Sequence, residues 1–130
     1  MTYDLQTHLK ALENHGLLRR VHCEVDKNWE LSAIMRWVYM GNEEAKRYAV
    51  LFDRVKGYEI PVVVGAIGAS YKTYAVSLGI HPEKPRAEVM GEIRRRFIQA
   101  LKHPLPPVRV GSGPCKEKTD RGSAVNIHKF

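Results

Sequence analysis

Apolar residues recur at helical spacing in four stretches of this chain and form three β-rich runs between them. Apolar positions three and four residues apart predict helices over about 4–14, 29–40, 71–78 and 85–102, each with one apolar face. Runs rich in β-branched and aromatic residues predict strands over about 17–25, 48–55 and 60–64, the first with imperfect alternation. Helices and strands are therefore interspersed along the chain.

Capping and breaking residues mark the ends of the predicted helices. Asp4 is in position to begin the first helix and Gly16 to end it. Asp26 or Asn28 is in position to cap the second helix. Ser70 is in position to cap the third, directly after a strand and a glycine-containing turn.

The second and third strands predict a β-hairpin. Only residues 56–59 connect them, and Pro61 must lie at the start or edge of the later strand because it cannot donate to a ladder. A hairpin among helices favours an α+β fold, with a small mixed β-sheet packed with about four helices. The shared periodicity predicts a core that contains Leu9, Leu12, Ile34, Val38, Leu51, Val63, Ile93 and Phe97.

The chain changes character after the fourth predicted helix. Prolines within 103–107 stop that helix, and 108–110 predicts a short strand that adds to the sheet. The remainder is polar, charged and weakly periodic, which predicts an extended C-terminal arm. The predicted organisation is one α+β domain over 1–108 and a connecting arm over 109–130.

Composition fits one intracellular globular domain. The chain has 130 residues, of which 44% are hydrophobic, enough for a core without disulfide bonds. No apolar run approaches the ~20 residues of a membrane span, and the N-terminus lacks the features of a signal peptide. We therefore expect a cytoplasmic protein. Cys23 and Cys115 are far apart and form no CxxC motif, which predicts two ordinary thiols.

The chain is strongly basic, but its charges are scattered. Lys and Arg total 21 against 14 Asp and Glu, which gives a net charge of +7. The basic residues fall in separate segments and do not alternate with aromatic residues in the manner of a base-stacking surface. We expect a solvated surface or a basic face against an acidic partner, rather than nucleic-acid binding.

Neither the histidines nor the carboxylates form a motif that carries chemistry. No two histidines have the i, i+4 spacing of a helical metal pair, and adjacent His22 and Cys23 would point to opposite faces of a strand. Capping and surface pairing explain the carboxylates near the first strand better than acid–base catalysis does. The residues concerned are His8, His15, His22, His81, His103 and His128, and Glu13, Glu24, Asp26 and Glu30.

Residues 65–70, Gly-Ala-Ile-Gly-Ala-Ser, connect a strand to a helix. Backbone N–H groups at such a turn can hold an anion, and Lys72 is near in sequence. The segment matches neither GxGxxG nor the P-loop pattern, so a tight turn capped by Ser70 is the preferred interpretation. The sequence thus predicts no catalytic, cofactor-binding or metal-ligating residue on this chain.

The order of motifs along the chain resembles the N-terminal domain of UbiD-type decarboxylases. Ser112-Gly113-Pro114 with Glu117 is similar to the family's short link to its next domain. The motifs are weak singly and specific in their order and spacing: Asp4-Leu5, Leu9, Leu12-Glu13, Gly16, Leu18-x-Arg20-Val21, Glu24-Val25-Asp26, Glu30-Leu31-x-Ala33-Ile34, Leu51-Phe52-x-x-Val55-Lys56-Gly57-Tyr58, Pro61-Val62-Val63, Gly68-Ala69-Ser70 and Ala75-x-x-Leu78-Gly79.

The resemblance implies a reversible non-oxidative (de)carboxylase for aromatic or α,β-unsaturated carboxylic acids. Such enzymes use prenylated flavin mononucleotide (prFMN), with a divalent metal such as manganese and with potassium at its phosphate. The family's catalytic, flavin and metal residues lie in a central domain beyond Phe130, and none falls on this chain. The turn at 65–70 departs from the family's Asn-x-Phe-Gly-Ser-like turn, so the substrate acid stays open.

Three interpretations follow from the resemblance. The chain is the N-terminal domain of a UbiD-type enzyme, or a separate small subunit of an oligomer, or a non-enzymatic basic binding module. The first two imply a flavin-binding catalytic domain or sister subunit as partner, and an inactive isolated chain. They also predict that 116–130 is ordered only against that partner, because ordering a polar arm costs about 1–2 kcal/mol per residue.

Overall fold

The computed structural model describes residues 4–126. All four predicted helices and all three predicted strands of 17–64 are confirmed, with ends within two residues of those expected. In chain order the elements are α1 (Leu5–Asn14), β1 (Leu18–Val25), α2 (Glu30–Gly41), a 3₁₀ helix (Glu44–Lys46), β2 (Ala49–Val55), β3 (Val62–Val64), α3 (Tyr71–Ser77) and α4 (Arg86–Lys102), followed by two short 3₁₀ helices (Pro114–Lys116 and Gly122–Ala124).

The three strands form one mixed sheet in the order β1-β2-β3. β1 pairs parallel to β2, with α2 as the crossover, and β2 pairs antiparallel to β3 in the predicted hairpin. The register of β1 shifts between Val21 and Glu24, which explains the imperfect alternation of its sequence. The predicted α+β class, with four helices and a small mixed sheet, is confirmed.

β2 is the central strand, and its alternate side chains enter two different cores. Ala49 and Leu51 face α1 and α3, whereas Val50 and Phe52 face α2. The first core also contains Leu9, Leu12, Leu17, Leu18 and Val76, and the second contains Val25, Met35, Val38 and Val55. A third, smaller cluster joins α3 to the start of α4 through Ala75, Ile80 and Val89.

The ends of α1 form as the sequence predicts. The Asp4 carboxylate accepts a hydrogen bond from the Thr7 N–H at 2.7 Å. At the other end Gly16 adopts a φ of +66°, and the Leu17 N–H donates to the Leu12 carbonyl at 2.8 Å. The left-handed residue closes the helix and directs the chain into β1.

The predicted cap of α2 is wrong. Trp29, with a φ of +70°, occupies the N-cap position and makes no side-chain cap. The Asp26 carboxylate instead accepts from the Asn28 N–H at 2.7 Å, and Glu30 accepts from the Asp26 N–H at 2.6 Å. The polar groups expected to cap the helix are used to fold the preceding turn.

Two expectations about the C-terminal part are also wrong. Phe97 is 63% exposed rather than buried, because the packing of α4 on α3 ends before it. Residues 108–110 form no strand, and Val108 and Val110 are exposed. The adjacent Pro106 and Pro107 have no N–H to donate to a ladder. The predicted ordering of 116–130 stays a prediction, and its last residues, 127–130, lie outside the described part.

Phe52 and Phe97 provide a matched test of where the core lies. Phe52→Ala should lower the free energy of unfolding by about 3–5 kcal/mol, because its side chain is fully buried between the sheet and α2. Phe97→Ala should change it by less than about 0.5 kcal/mol, since the ring is mostly exposed. Urea denaturation followed by circular dichroism measures both, and equal losses would contradict this core.

Candidate functional site

The turn between β3 and α3 is held against α2. Gly65 has a φ of +77°, and a Cβ at this position would lie 3.0 Å from the Tyr39 hydroxyl and 3.3 Å from the Met35 methyl group. The buried His8 connects α1 to the turn, because its Nε2 lies 2.8 Å from the Ala66 carbonyl oxygen. The turn is therefore fixed by both helix layers.

Three of the backbone amides that follow this turn, those of Ser70, Tyr71 and Thr73, are bonded within the protein. Ser70 and Thr73 form a capping box, in which the Ser70 N–H donates to the Thr73 hydroxyl at 3.0 Å and the Thr73 N–H donates to the Ser70 hydroxyl at 3.3 Å. The Tyr71 N–H donates to the Glu44 carboxylate at 2.5 Å. Lys72 pairs with Glu83 at 3.0 Å. The geometry agrees with a tight capped turn and not with an anion cradle.

A cavity of about 310 Å³ lies beside this turn, between the 3₁₀ helix, α3 and α4. Two of its lining residues are Arg47 and Arg86. The Arg47 Nε donates to the Asn42 carbonyl at 3.2 Å, and the Arg86 guanidinium lies 5.9 Å from the centre of the Tyr71 ring. Both cations therefore have contacts within the fold. The Glu44 carboxylate and the Ser70 hydroxyl, which also line the cavity, accept hydrogen bonds from the Tyr71 and Thr73 N–H groups.

Among the remaining described histidines, His15 and His81 lie together, whereas His22 and His103 lie elsewhere on the surface. The His22 Nδ1 is 2.6 Å from the Asp53 carboxylate, and the His15 and His81 rings meet edge to face at 5.3 Å. His103 is exposed. Within residues 4–126, no group of three or more His, Cys, Asp or Glu side chains is arranged to hold a metal ion. His128 lies outside the described residues.

The four carboxylates near β1 behave as surface and turn residues. Glu13 pairs with Arg20 at 3.0 Å, and Glu24 is exposed on β1. Asp26 and Glu30 accept the backbone hydrogen bonds of the turn before α2. Cys23 and Cys115 are both exposed and form no disulfide. The fold thus disperses these candidate residues instead of bringing them together.

Two exposed apolar surfaces were not predicted. The α2 face comprises Trp29, Trp37 and Met40, which are 85%, 84% and 78% exposed. It borders a groove of about 350 Å³ that is lined by Ala33, Ile34, Trp37, Val38, Asn42 and Tyr48. The sequence could have indicated this surface, because these large apolar residues do not fall on the core-facing side of the amphipathic helix.

The second surface, the α4 face, continues from the end of α4 into the arm. It comprises Phe97, Ile98, Leu101 and Leu105, which are between 40% and 92% exposed. Periodicity correctly aligned part of this set on one helix side. It wrongly assigned that side to the core of this domain.

Within α4, Glu92 has a strongly shifted pKa. Its carboxylate accepts hydrogen bonds from Arg95 at 2.6 and 2.8 Å and from Arg96 at 2.7 Å. These guanidinium groups lower the pKa of Glu92 from 4.5 to about 2. Arg96 also donates to the Leu78 carbonyl at the end of α3. The cluster stiffens the helix where its packing on α3 ends.

Comparison with known proteins gives consistent matches over this fold. The family model of the 3-octaprenyl-4-hydroxybenzoate carboxy-lyase N-terminal domain matches residues 9–97. A phenolic acid decarboxylase of Sedimentibacter hydroxybenzoicus is 34% identical over 116 residues, which is 88% of this chain and 23% of that protein. This chain spans only 20% to 26% of the length of the curated relatives that it matches.

Solved structures agree with these matches. The closed form of the vanillic acid decarboxylase ShVdcCD from Sedimentibacter hydroxybenzoicus superimposes with a TM-score of 0.69 and 32% identity, over 91% of this chain and 24% of that chain. An evolved dimeric form of the UbiD-class enzyme HmfF from Pelotomaculum thermopropionicum, in complex with prFMN, has a TM-score of 0.62 and 28% identity, over 81% of this chain and 21% of that chain.

The residues described in this chain do not fit a flavin phosphate with its metals. The Ser70, Tyr71 and Thr73 amides at the start of α3 are bonded within the protein, and the metal-ligating side chain types of 4–126 form no group of three or more. We therefore assign no step of flavin chemistry to these residues. None of the described helices is long and apolar enough to cross a membrane.

Glu92 gives a prediction for acid solution. Because its pKa is lower in the folded protein, the Arg95 and Arg96 pairs stabilise the fold fully above about pH 4.5, and this contribution is lost as the pH falls toward 2. NMR titration should place the Glu92 midpoint near 2. Replacing both arginines by glutamine should raise it toward 4.5, whereas a wild-type midpoint already at 4.5 would contradict the cluster.

Gly65 and Gly68 test the packing of the turn. Gly65→Ala should destabilise the protein by more than about 1 kcal/mol, because the new Cβ meets α2 and the positive φ is strained. Gly68→Ala should be neutral or slightly stabilising, since its Cβ would meet open space. Thermal unfolding monitored by circular dichroism compares them. Equal melting temperatures would count against the described turn.

Proposed function

We propose that this chain, which belongs to the UbiD family as its N-terminal domain, is the opening domain or small subunit of a UbiD-type non-oxidative (de)carboxylase. The family match over residues 9–97 carries the proposal, because it spans the sheet and the helices packed on it. The family resemblance inferred from the motif order is confirmed. The complete enzyme would act on aromatic or α,β-unsaturated acids, in line with the phenolic and vanillic acid decarboxylases above.

In the proposed organisation, this chain provides a structural portion and a separate catalytic portion binds the flavin. Residues 1–108 form a structural domain, and 109–130 lead toward or lie against a flavin-binding catalytic domain or sister subunit. That portion would hold prFMN, together with a divalent metal such as manganese and with potassium. The prFMN-bound HmfF relative supports the cofactor assignment. We further propose that the complete enzyme is a cytoplasmic oligomer.

A non-enzymatic basic binding module is the alternative. The net charge of +7 favours it, but several basic side chains are already paired with carboxylates in the fold. The identity to decarboxylases supports the enzymatic proposal instead. A test should therefore ask whether the chain needs a flavin-binding portion to act.

The isolated chain should neither retain flavin nor catalyse decarboxylation. The purified chain is incubated with prFMN, manganese and potassium and then desalted, with the complete enzyme treated identically as the control. We expect flavin absorbance and release of carbon dioxide from an aromatic acid only with the complete enzyme. Stoichiometric flavin on the isolated chain would overturn the proposed division between the two portions.

A further inference from the structure

The last turns of α4 project from the domain with their apolar side chains exposed. Val89 is fully buried and Ile93 half-buried, and both belong to the cluster that joins α4 to α3. Arg96, one turn further along, donates a hydrogen bond to the Leu78 carbonyl just after α3. Phe97 and Leu101 follow on one side of the helix at 63% and 66% exposure.

A helix end of this kind depends on packing for its stability. Short helical segments are marginal in water, and most helix stability in proteins comes from burial of an apolar face. An exposed contiguous apolar patch on an ordered element therefore indicates an interaction surface. Leu105, at 92% exposure, extends the α4 face beyond the helix.

The charges around the α4 face indicate the chemistry of its occupant. Arg94 and Lys102 are exposed and have no carboxylate partner among the described residues. Arg95, in contrast, is engaged by Glu92. An apolar surface rimmed by unpaired cations fits a partner that offers apolar side chains surrounded by carboxylates.

The family comparisons indicate which partner this is. The N-terminal domain model ends at residue 97, where the packing of α4 on this domain also ends. The matches to four longer relatives cover 109 to 128 of the 130 residues, so each of them extends past residue 97. The α4 face therefore begins at the end of the N-terminal domain model. The residues of this face after 97 are still similar to relatives about four times longer than this chain.

We infer that the α4 face is the docking surface for the flavin-binding portion of the enzyme. The inference rests on the proposed function and adds the surface through which the two portions meet. The α2 face is the rival surface, since its three residues are at least 78% exposed, but it lies inside the N-terminal domain model and is not continuous with the arm.

Side-chain labelling with hydroxyl radicals tests this surface. The isolated chain is compared with the complete prFMN-loaded enzyme, whether the two portions are one polypeptide or separate subunits. We expect Phe97 and Leu101 to be oxidised about tenfold more slowly in the complete enzyme, as fully desolvated anchors would be. Equal oxidation in an active, flavin-containing enzyme would overturn the docking surface and leave the proposed function standing.

Two matched variants of the complete enzyme add an independent measurement. Phe97→Asp and Trp37→Asp each place a charge on an exposed aromatic position of a helix, one on each apolar face. Amide hydrogen exchange of 98–102 should become about tenfold faster in Phe97→Asp and stay unchanged in Trp37→Asp. The reverse result would overturn the inference and identify the α2 face as the contact.

Two further outcomes would also overturn the inference. If the isolated chain self-associates and thereby protects Phe97, the occupant is a second copy of this chain. If no flavin-containing assembly includes this chain, the proposed function fails and the docking surface fails with it. Unchanged unfolding of the isolated Phe97→Asp variant would establish that loss of protection reports the contact and not the fold.

Discussion

The burial of β2 on both faces is the constraint on which this fold depends. A central strand with side chains in two cores needs a layer on each side and a partner on each edge. The parallel pairing of β1 requires a crossover, and α2 supplies both that connection and one layer. The hairpin to β3 covers the other edge and leads the chain to the opposite layer, where α1 and α3 lie.

The same arrangement explains why α4 differs from the other helices. Both faces of the sheet are already covered by α1, α2 and α3, so α4 packs mainly on α3 and the residues just after it, through Val89 and Ile93. Its remaining apolar positions have no layer to join within the described residues. A domain complete in its sheet but incomplete in its last helix is suited to a structural role within a larger enzyme.

Much of this architecture follows from the sequence because local patterns determined it. The spacing of Leu9 and Leu12, and the cap at Ser70, located their helices within a residue or two. The sequence patterns gave wrong predictions where burial or capping depended on residues from other parts of the fold. Periodicity placed Phe97 on an apolar side but contains no information on whether this domain covers that side. The cap of α2 failed because Asp26 and Glu30 bond the preceding turn.

At the candidate site, too, local features were predicted from the sequence and contacts between distant segments were not. Residues 65–70 match no known phosphate-binding pattern in the sequence. In the structure, Glu44 reaches the following helix from a distant segment and accepts a hydrogen bond from the Tyr71 N–H. That contact could not be read from local spacing. The α2 face and the α4 face were missed because exposure of an apolar side is a property of the whole assembly of elements.

The mass of the native assembly shows whether this domain works as part of a flavin-containing enzyme. Native mass spectrometry of the protein purified from its own cells measures whether this sequence occurs within a larger flavin-containing species. We expect a mass that includes prFMN and either a longer polypeptide or a second chain bound to this one. A homogeneous species of 14.8 kDa, or a simple multiple of it, without flavin would contradict it.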